Sequence, residues 1–233
     1  MKIKLLSLVA FFAISNVVSA QYFDPKNWNT EFHELGSGWS TVWAEYNPSV
    51  LKTDVKGVDN QSVTGFSLGY SQAFSIVKDG FLFLEAGLGG QYTFYSDDEY
   101  MNIDGYNVKV EENFSMWSLK LPVNLLCKFE VGDNGFSLSP FVGLTLRYNI
   151  SAQLKEEAKY GGQSVSEKLD LFKESDMGGS DFTWNRFQIG WQVGLKAIIN
   201  KRIMIGASYG NDFSEICKKV KLQTTTITLG VCL

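Results

Sequence analysis

The chain has 233 residues, a formal net charge of −4 and an aromatic content of 14%. With 21 basic against 25 acidic residues it offers no basic stripe to neutralise a phosphate backbone, so we expect no nucleic-acid partner. The length fits one all-β domain, and beyond the N-terminus no run of about 18 apolar residues could form a membrane-spanning helix.

The N-terminus has the three parts of a secretory signal peptide. Lys2 and Lys4 supply positive charge, residues 5–18 are almost entirely apolar, and residues 18–20 (Val-Ser-Ala) suit a signal peptidase. The apolar run is shorter than the roughly 20 residues of a spanning helix. We therefore predict export, with cleavage between Ala20 and Gln21.

This cleavage divides the chain into a signal peptide over residues 1–20, a periplasmic segment over residues 21–37 and a barrel domain over residues 38–233. The barrel domain contains an odd number of cysteines, whose spacing matches no metal or redox motif. We expect all of them to be free: Cys127, Cys217 and Cys232.

Period-two alternation of large apolar residues with small or polar ones recurs through the barrel domain. In residues 65–76, for example, Phe66, Leu68 and Tyr70 alternate with serine and glycine, as on a strand with two unlike faces. Comparable runs predict eight strands near residues 39–46, 65–76, 82–94, 117–125, 136–150, 187–196, 203–210 and 225–233.

The predicted connections alternate between short and long, which is the arrangement of outer-membrane barrels. The polar strand face is mostly Gly, Ser, Thr, Gln and Asn rather than the Lys and Glu of a water-facing surface. We therefore predict an all-β fold, a closed eight-stranded antiparallel transmembrane β-barrel, with short turns in the periplasm. The long loops are predicted at residues 47–62, 96–113, 151–181 and 212–220.

Four charged residues project into the predicted lumen by strand parity. Buried charges should pair, so the simplest interpretation is a structural network, and the alternative is a gated polar path. An eight-stranded barrel is filled by its own side chains, which argues against an open pore. The four residues are Glu85, Lys120, Arg147 and Lys196.

Three segments resemble strands of PorT-like outer-membrane barrels common in Bacteroidetes: residues 118–126 (SLKLPVNLL), 139–144 (SPFVGL) and 226–231 (TITLGV). The resemblance implies a location in the cell outer membrane, with surrounding lipid and the barrel-assembly machinery as partners, and leaves the activity open. Such chains usually end in Phe or Tyr, whereas this one ends in Leu233, which keeps the lipid-facing position apolar.

Two groups of residues are candidates for a catalytic or metal site. His33 precedes the first strand on the predicted periplasmic side, away from the rim where barrel enzymes hold a catalytic His. Asp97, Asp98 and Glu99, with Asp104, have the oxygen ligands of a Ca²⁺ site without a known calcium-loop spacing. We expect an ordinary lead segment and a solvated loop instead, and predict no catalytic, cofactor or metal residues.

The loop over residues 151–181 is the expected place for partner recognition, because function varies on loops over a rigid scaffold. Within it, residues 166–173 predict a short amphipathic turn of helix. The sequence thus predicts a non-enzymatic scaffold that acts through extracellular loops. A small transporter or secretion-associated component is the alternative, and a lipid-modifying enzyme is a weaker one.

Overall fold

A computed structural model describes residues 38–54, 59–76, 81–103, 106–131, 135–160 and 163–233. The predicted signal peptide, residues 21–37 and His33 lie outside these ranges. Within them, no helix is long and apolar enough to cross a membrane. The elements are β1 (Trp39–Thr53), β2 (Gln61–Ser75), β3 (Leu82–Ile103), β4 (Tyr106–Cys127), β5 (Phe129–Val131), β6 (Phe136–Tyr160), β7 (Gln163–Asp170), α1 (Glu174–Met177), β8 (Phe187–Ile199), β9 (Ile203–Asp212) and β10 (Val220–Cys232).

Eight of these strands form a closed antiparallel ring in the order β1-β2-β3-β4-β6-β8-β9-β10. The ring closes where β1 pairs with β10, from Thr41 opposite Cys232 to Thr53 opposite Val220. The short strands β5 and β7 each pair only with β6. The predicted eight-stranded barrel is confirmed.

The register tilts the strands. A row of directly opposed residues that starts at Val50 on β1 passes through every strand of the ring and returns to β1 at Ser40, ten residues lower. This stagger inclines the strands to the barrel axis, and an eight-stranded barrel is just wide enough to be filled by side chains.

The two strand faces differ as the alternation predicts. Large apolar side chains such as Phe66, Leu68 and Leu229 are more than half exposed on the outside. Interior positions such as Ser67 and Thr93 are buried and small or polar. The barrel is therefore the reverse of a soluble one, with its apolar surface outside.

Several predicted boundaries were wrong. β1 extends beyond Tyr46 to Thr53, and much of the predicted loops at residues 96–113 and 151–181 is strand. The helical turn predicted at residues 166–173 overlaps β7, and α1 follows it instead. These stretches lack an apolar face and read as loops, but backbone pairing with a neighbouring strand holds them as long hairpins.

Beyond the barrel, β3, β4, β6 and β7 continue as a four-stranded sheet, here called the wall (residues 95–103, 106–114, 152–160 and 163–170). The pairing of β3 with β2 ends at Phe94 opposite Thr64, so the wall separates from the ring there. We call this end of the barrel the long-loop end and the opposite one the short-turn end.

Glycine at position 89 is required by a close approach inside the barrel. A Cβ there would lie 2.4 Å from the Trp43 ring and 2.7 Å from the backbone carbonyl oxygen of Leu68. A Cβ on Gly90 would meet no atom within 4 Å. We expect Gly89→Ala to lower the free energy of unfolding by about 1–3 kcal/mol through overpacking, and Gly90→Ala to change it by less than about 0.5 kcal/mol. Urea unfolding in detergent micelles measures both, and equal effects would contradict the packing described here.

Candidate functional site

The charged residues predicted to face the lumen do so, and each is buried. Lys196 Nζ donates to both carboxylate oxygens of Glu85, at 2.5 and 2.7 Å. Asn124 Nδ2 also donates to Glu85 Oε1 at 2.8 Å, so this buried carboxylate accepts three hydrogen bonds. The interpretation as a paired lumen network holds for these residues.

The acidic partners of the other two cations were missed at the level of sequence. Lys120 Nζ donates to Glu45 Oε2 at 2.7 Å, and Arg147 donates to Asp212. Glu45 lies on the first strand, where aromatics on both faces obscured the alternation, and Asp212 lies at the end of β9. Parity counted from Trp43, which points inward, would have placed Glu45 in the lumen.

With these partners, the three cations and three carboxylates of the lumen balance one another. A buried charge without a partner costs several kcal/mol, so this balance is a condition for filling the barrel with charged groups at all. The remaining cavity beside Lys120 and Arg147 has a volume of about 30 Å³, enough for water but not for a solute path.

Apolar lids close both ends of the lumen. At the short-turn end, Trp39 packs against a buried cluster of Phe83, Leu126 and Phe141. At the long-loop end, side chains from the ring and from the connections around α1 and before β10 form a larger cluster. It contains Val63, Phe114, Met116, Ala152, Leu171, Ile216 and Leu222, with Trp184 and Phe172 packed against it.

The outer face of the wall is electrically balanced. Lys109 pairs with Asp98 at 3.0 Å and with Glu111 at 2.8 Å, and Lys159 pairs with Glu111 at 2.7 Å and with Glu157 at 3.5 Å. Hydrogen bonds to the Glu111 carboxylate lower its pKa to about 2, and the bond from Lys109 contributes more than the bond from Lys159. On this face a row of carboxylates (Asp98, Glu111 and Glu157) thus lies beside a row that carries Lys109 and Lys159.

On the inner face of the wall, four carboxylates lie directly opposite one another on successive strands, and the rows beside them contain no lysine. Asp97 lies opposite Glu112, Glu112 lies opposite Glu156, and Glu156 lies opposite Glu167 in the register of the strands. No ion pair involves any of these four among the described residues. We call this set the acidic row.

Burial and the negative charge of the acidic row raise the pKa of a neighbouring tyrosine, Tyr95. Tyr95 donates a hydrogen bond to Glu112, and burial together with the negative charges of Glu112, Glu156 and Asp97 raises the pKa of Tyr95 to about 12. Ionisation of the Tyr95 hydroxyl is unfavourable because the phenolate would lie beside carboxylates rather than cations. The row therefore acts as one negative surface.

The described candidate calcium ligands do not share one face of β3. Asp97 and Glu99 project to the inner face of β3 by parity, while Asp98 projects to the outer face and pairs with Lys109. In the described part of the chain, no group of three or more acidic, Cys or His residues could hold a metal ion. Asp104 lies outside the described residues. Cys127, Cys217 and Cys232 are free.

Comparison with known proteins gives the family. The family model described as the outer membrane protein beta-barrel domain matches residues 7–232. The chain belongs to this family. It is therefore an outer-membrane barrel, and its apolar outer surface faces lipid. No curated protein matches the chain.

Several solved barrels are similar in outline. Ail, the attachment invasion locus protein of Yersinia pestis, is 17% identical with a TM-score of 0.40, over 84% of this chain and 99% of Ail. Neisserial surface protein A is 13% identical with a TM-score of 0.38, over 82% of this chain and 96% of its own. The outer membrane enzyme PagL is 10% identical with a TM-score of 0.33, over 80% and 98%. At these scores the likenesses carry no argument about function.

The membrane position sharpens the role of the lumen pairs. We expect Lys196→Met to lower the free energy of unfolding of this barrel by about 3–5 kcal/mol, because Glu85 stays buried without its cation. The double change Lys196→Met with Glu85→Gln should recover part of the loss. Urea unfolding in micelles tests this.

The matched control is the exposed pair of Lys218 with Asp181, whose side chains are both 59% exposed. Lys218→Met should cost less than about 1 kcal/mol, since solvent screens such a pair. If Lys218→Met and Lys196→Met had equal effects, the lumen pair would not be the buried network described.

Proposed function

We propose that this outer-membrane barrel is a non-enzymatic scaffold that recognises a positively charged protein partner at its long-loop end. The usual orientation of such barrels, with short turns in the periplasm, would place the wall outside the cell. The acidic row carries the proposal, because its carboxylates have no cation against them in the described structure.

The contrast between the two wall faces supports a partner on one of them. Like charges directly opposite each other weaken a sheet. The outer face compensates for its opposed carboxylates Asp98, Glu111 and Glu157 with Lys109 and Lys159 in the adjacent row. A basic surface placed on the inner face would supply the same compensation to the acidic row. Complementary charge also speeds and orients protein association.

The loop over residues 151–181 keeps its proposed role in a changed form. It supplies Glu156 from the end of β6 and Glu167 from β7, so half of the acidic row comes from this segment. The recognition surface is therefore a rigid sheet rather than an irregular loop, and it needs less ordering on binding.

The two alternatives have weaker support. A diffusion path would have to pass both lids and the paired lumen charges. A lipid-modifying enzyme built on a His would have to use His33, the one histidine of the chain, from residues 21–37. A PorT-like secretion role and insertion by the barrel-assembly machinery remain predictions of the sequence.

The recognition proposal is tested by neutralising the row. We expect the double variant Glu112→Gln with Glu156→Gln to weaken binding of an oligolysine peptide by about tenfold at low salt, because two of four charges are removed. Fluorescence anisotropy with labelled peptide and micelle-embedded protein gives the affinity.

Glu111→Gln with Glu157→Gln is the control, because it changes the same net charge on the same strands but on the opposite face. Binding should then change less than about twofold, allowing for long-range charge effects. Equal losses in the two variants, or no loss in either, would sink the assignment to the inner face.

The closed lumen makes a separate prediction. In planar lipid bilayers the wild-type protein should give no discrete conductance steps, because the lids and ion pairs obstruct the bore and the cavity beside Lys120 and Arg147 has a volume of only about 30 Å³. Stable, reproducible steps with folded protein would favour the transporter alternative.

A further inference from the structure

Two lysines face each other on the lipid-side surface of the barrel. Lys52 of β1 and Lys221 of β10 are directly opposite in the closing register. Their strand neighbours Leu51 and Leu222 point inward, where both pack in the apolar lid of the long-loop end. Alternation therefore places both lysine side chains on the outer surface.

No carboxylate forms an ion pair with either lysine among the described residues. Asp181 pairs with Lys218, Asp212 pairs with Arg147 in the lumen, and Glu215 accepts from the backbone N–H of Lys219. Asp54, which follows β1, is exposed and lies beyond the pair at the end of the strand. Two ammonium groups directly opposite each other repel, so the pair favours an anion between them.

The pair lies where the apolar band ends. One pleat nearer the membrane centre, Gln223 of β10 lies opposite Asn211 of β9. Phe213, the residue that directly follows β9, is 55% exposed. Aromatic rings of this kind mark the interface of a membrane, so the lysines reach headgroup level.

Two unfilled acceptors lie in the row below the lysines. Asn211 Oδ1 and Gln223 Oε1 are buried and have no hydrogen-bond partner. A buried amide oxygen without a donor is unfavourable, so a donor supplied by a ligand would stabilise it. Sugar hydroxyls and amide N–H groups are such donors.

We propose that Lys52 and Lys221, with Asn211 and Gln223, bind the headgroup of a phosphorylated glycolipid from the outer leaflet. The ammonium groups hold its phosphate and the amide oxygens accept from its sugar. The lipid is the source of this headgroup because the site borders the apolar surface that faces the acyl chains. This assignment does not depend on the recognition of a protein partner by the wall.

The test uses the complete barrel domain with its N-terminal segment, folded in detergent micelles, and diphosphoryl lipid A as probe. Native mass spectrometry counts the bound lipid. Lys52→Gln with Lys221→Gln should weaken binding by roughly tenfold or more, since both lysines lie at an anionic lipid surface. Lys52→Arg with Lys221→Arg should retain it because both charges are kept. A heat-dependent shift on gels verifies that each variant is folded.

The matched control is another cross-strand lysine pair, Lys155 and Lys168, which lies on the wall away from the lipid band. Lys155→Gln with Lys168→Gln should leave lipid binding within about twofold of wild type, because it removes equal charge at a distance. Equal loss in this control, or unchanged binding in the Lys52 and Lys221 glutamine variant, would overturn the proposal. So would complete displacement of lipid A by equimolar glucosamine 1-phosphate, which would identify a site for soluble anions.

Discussion

Backbone N–H and C=O groups in a lipid environment have no water to bind, so each must pair within the protein. The pairing of β1 with β10 meets this requirement by removing the last two open edges of the sheet. It also fixes the stagger of ten residues between Val50 and Ser40, and with it the tilt of the strands and the narrow bore. The small interior then has to be filled by the chain's own side chains.

The filling explains the electrostatics of the lumen. Small polar residues pack the narrow sections, and the charges that enter do so as complete pairs, such as Lys196 with Glu85. Trp43 occupies the space left by Gly69 and Gly89, so that a large ring and two glycines share one layer of the interior. The lumen is thus a packed core built from polar side chains.

Beyond the lipid the constraint relaxes, because water can satisfy an open strand edge. The ring accordingly separates after Phe94 and Thr64, and the wall continues with pairing on fewer sides. Charged side chains that would need a partner inside the barrel can be hydrated on the wall, and they are arranged differently on its two faces. The outer face of the wall is therefore electrically balanced, whereas the inner face carries the negative charge of the acidic row.

The sequence alone predicted export, and it determined the eight strands of the ring, the inward side of most of them and the membrane as solvent. All of these follow from local patterns: an apolar run behind two lysines, and a period of two that Phe66 to Tyr70 display without reference to any other strand. The same parity placed Glu85, Lys120, Arg147 and Lys196 in the lumen.

Register was beyond the reach of local pattern, because it depends on which residues of distant strands lie opposite each other. Only the tertiary structure could therefore assign Glu45 and Asp212 as partners, align Asp97, Glu112, Glu156 and Glu167 in one row, or bring Lys52 beside Lys221 across the closing seam. The polar hairpins were misread for a related reason. Their strands are held by backbone pairing and by ion pairs such as Lys109 with Asp98, and neither produces an alternating apolar face in the sequence.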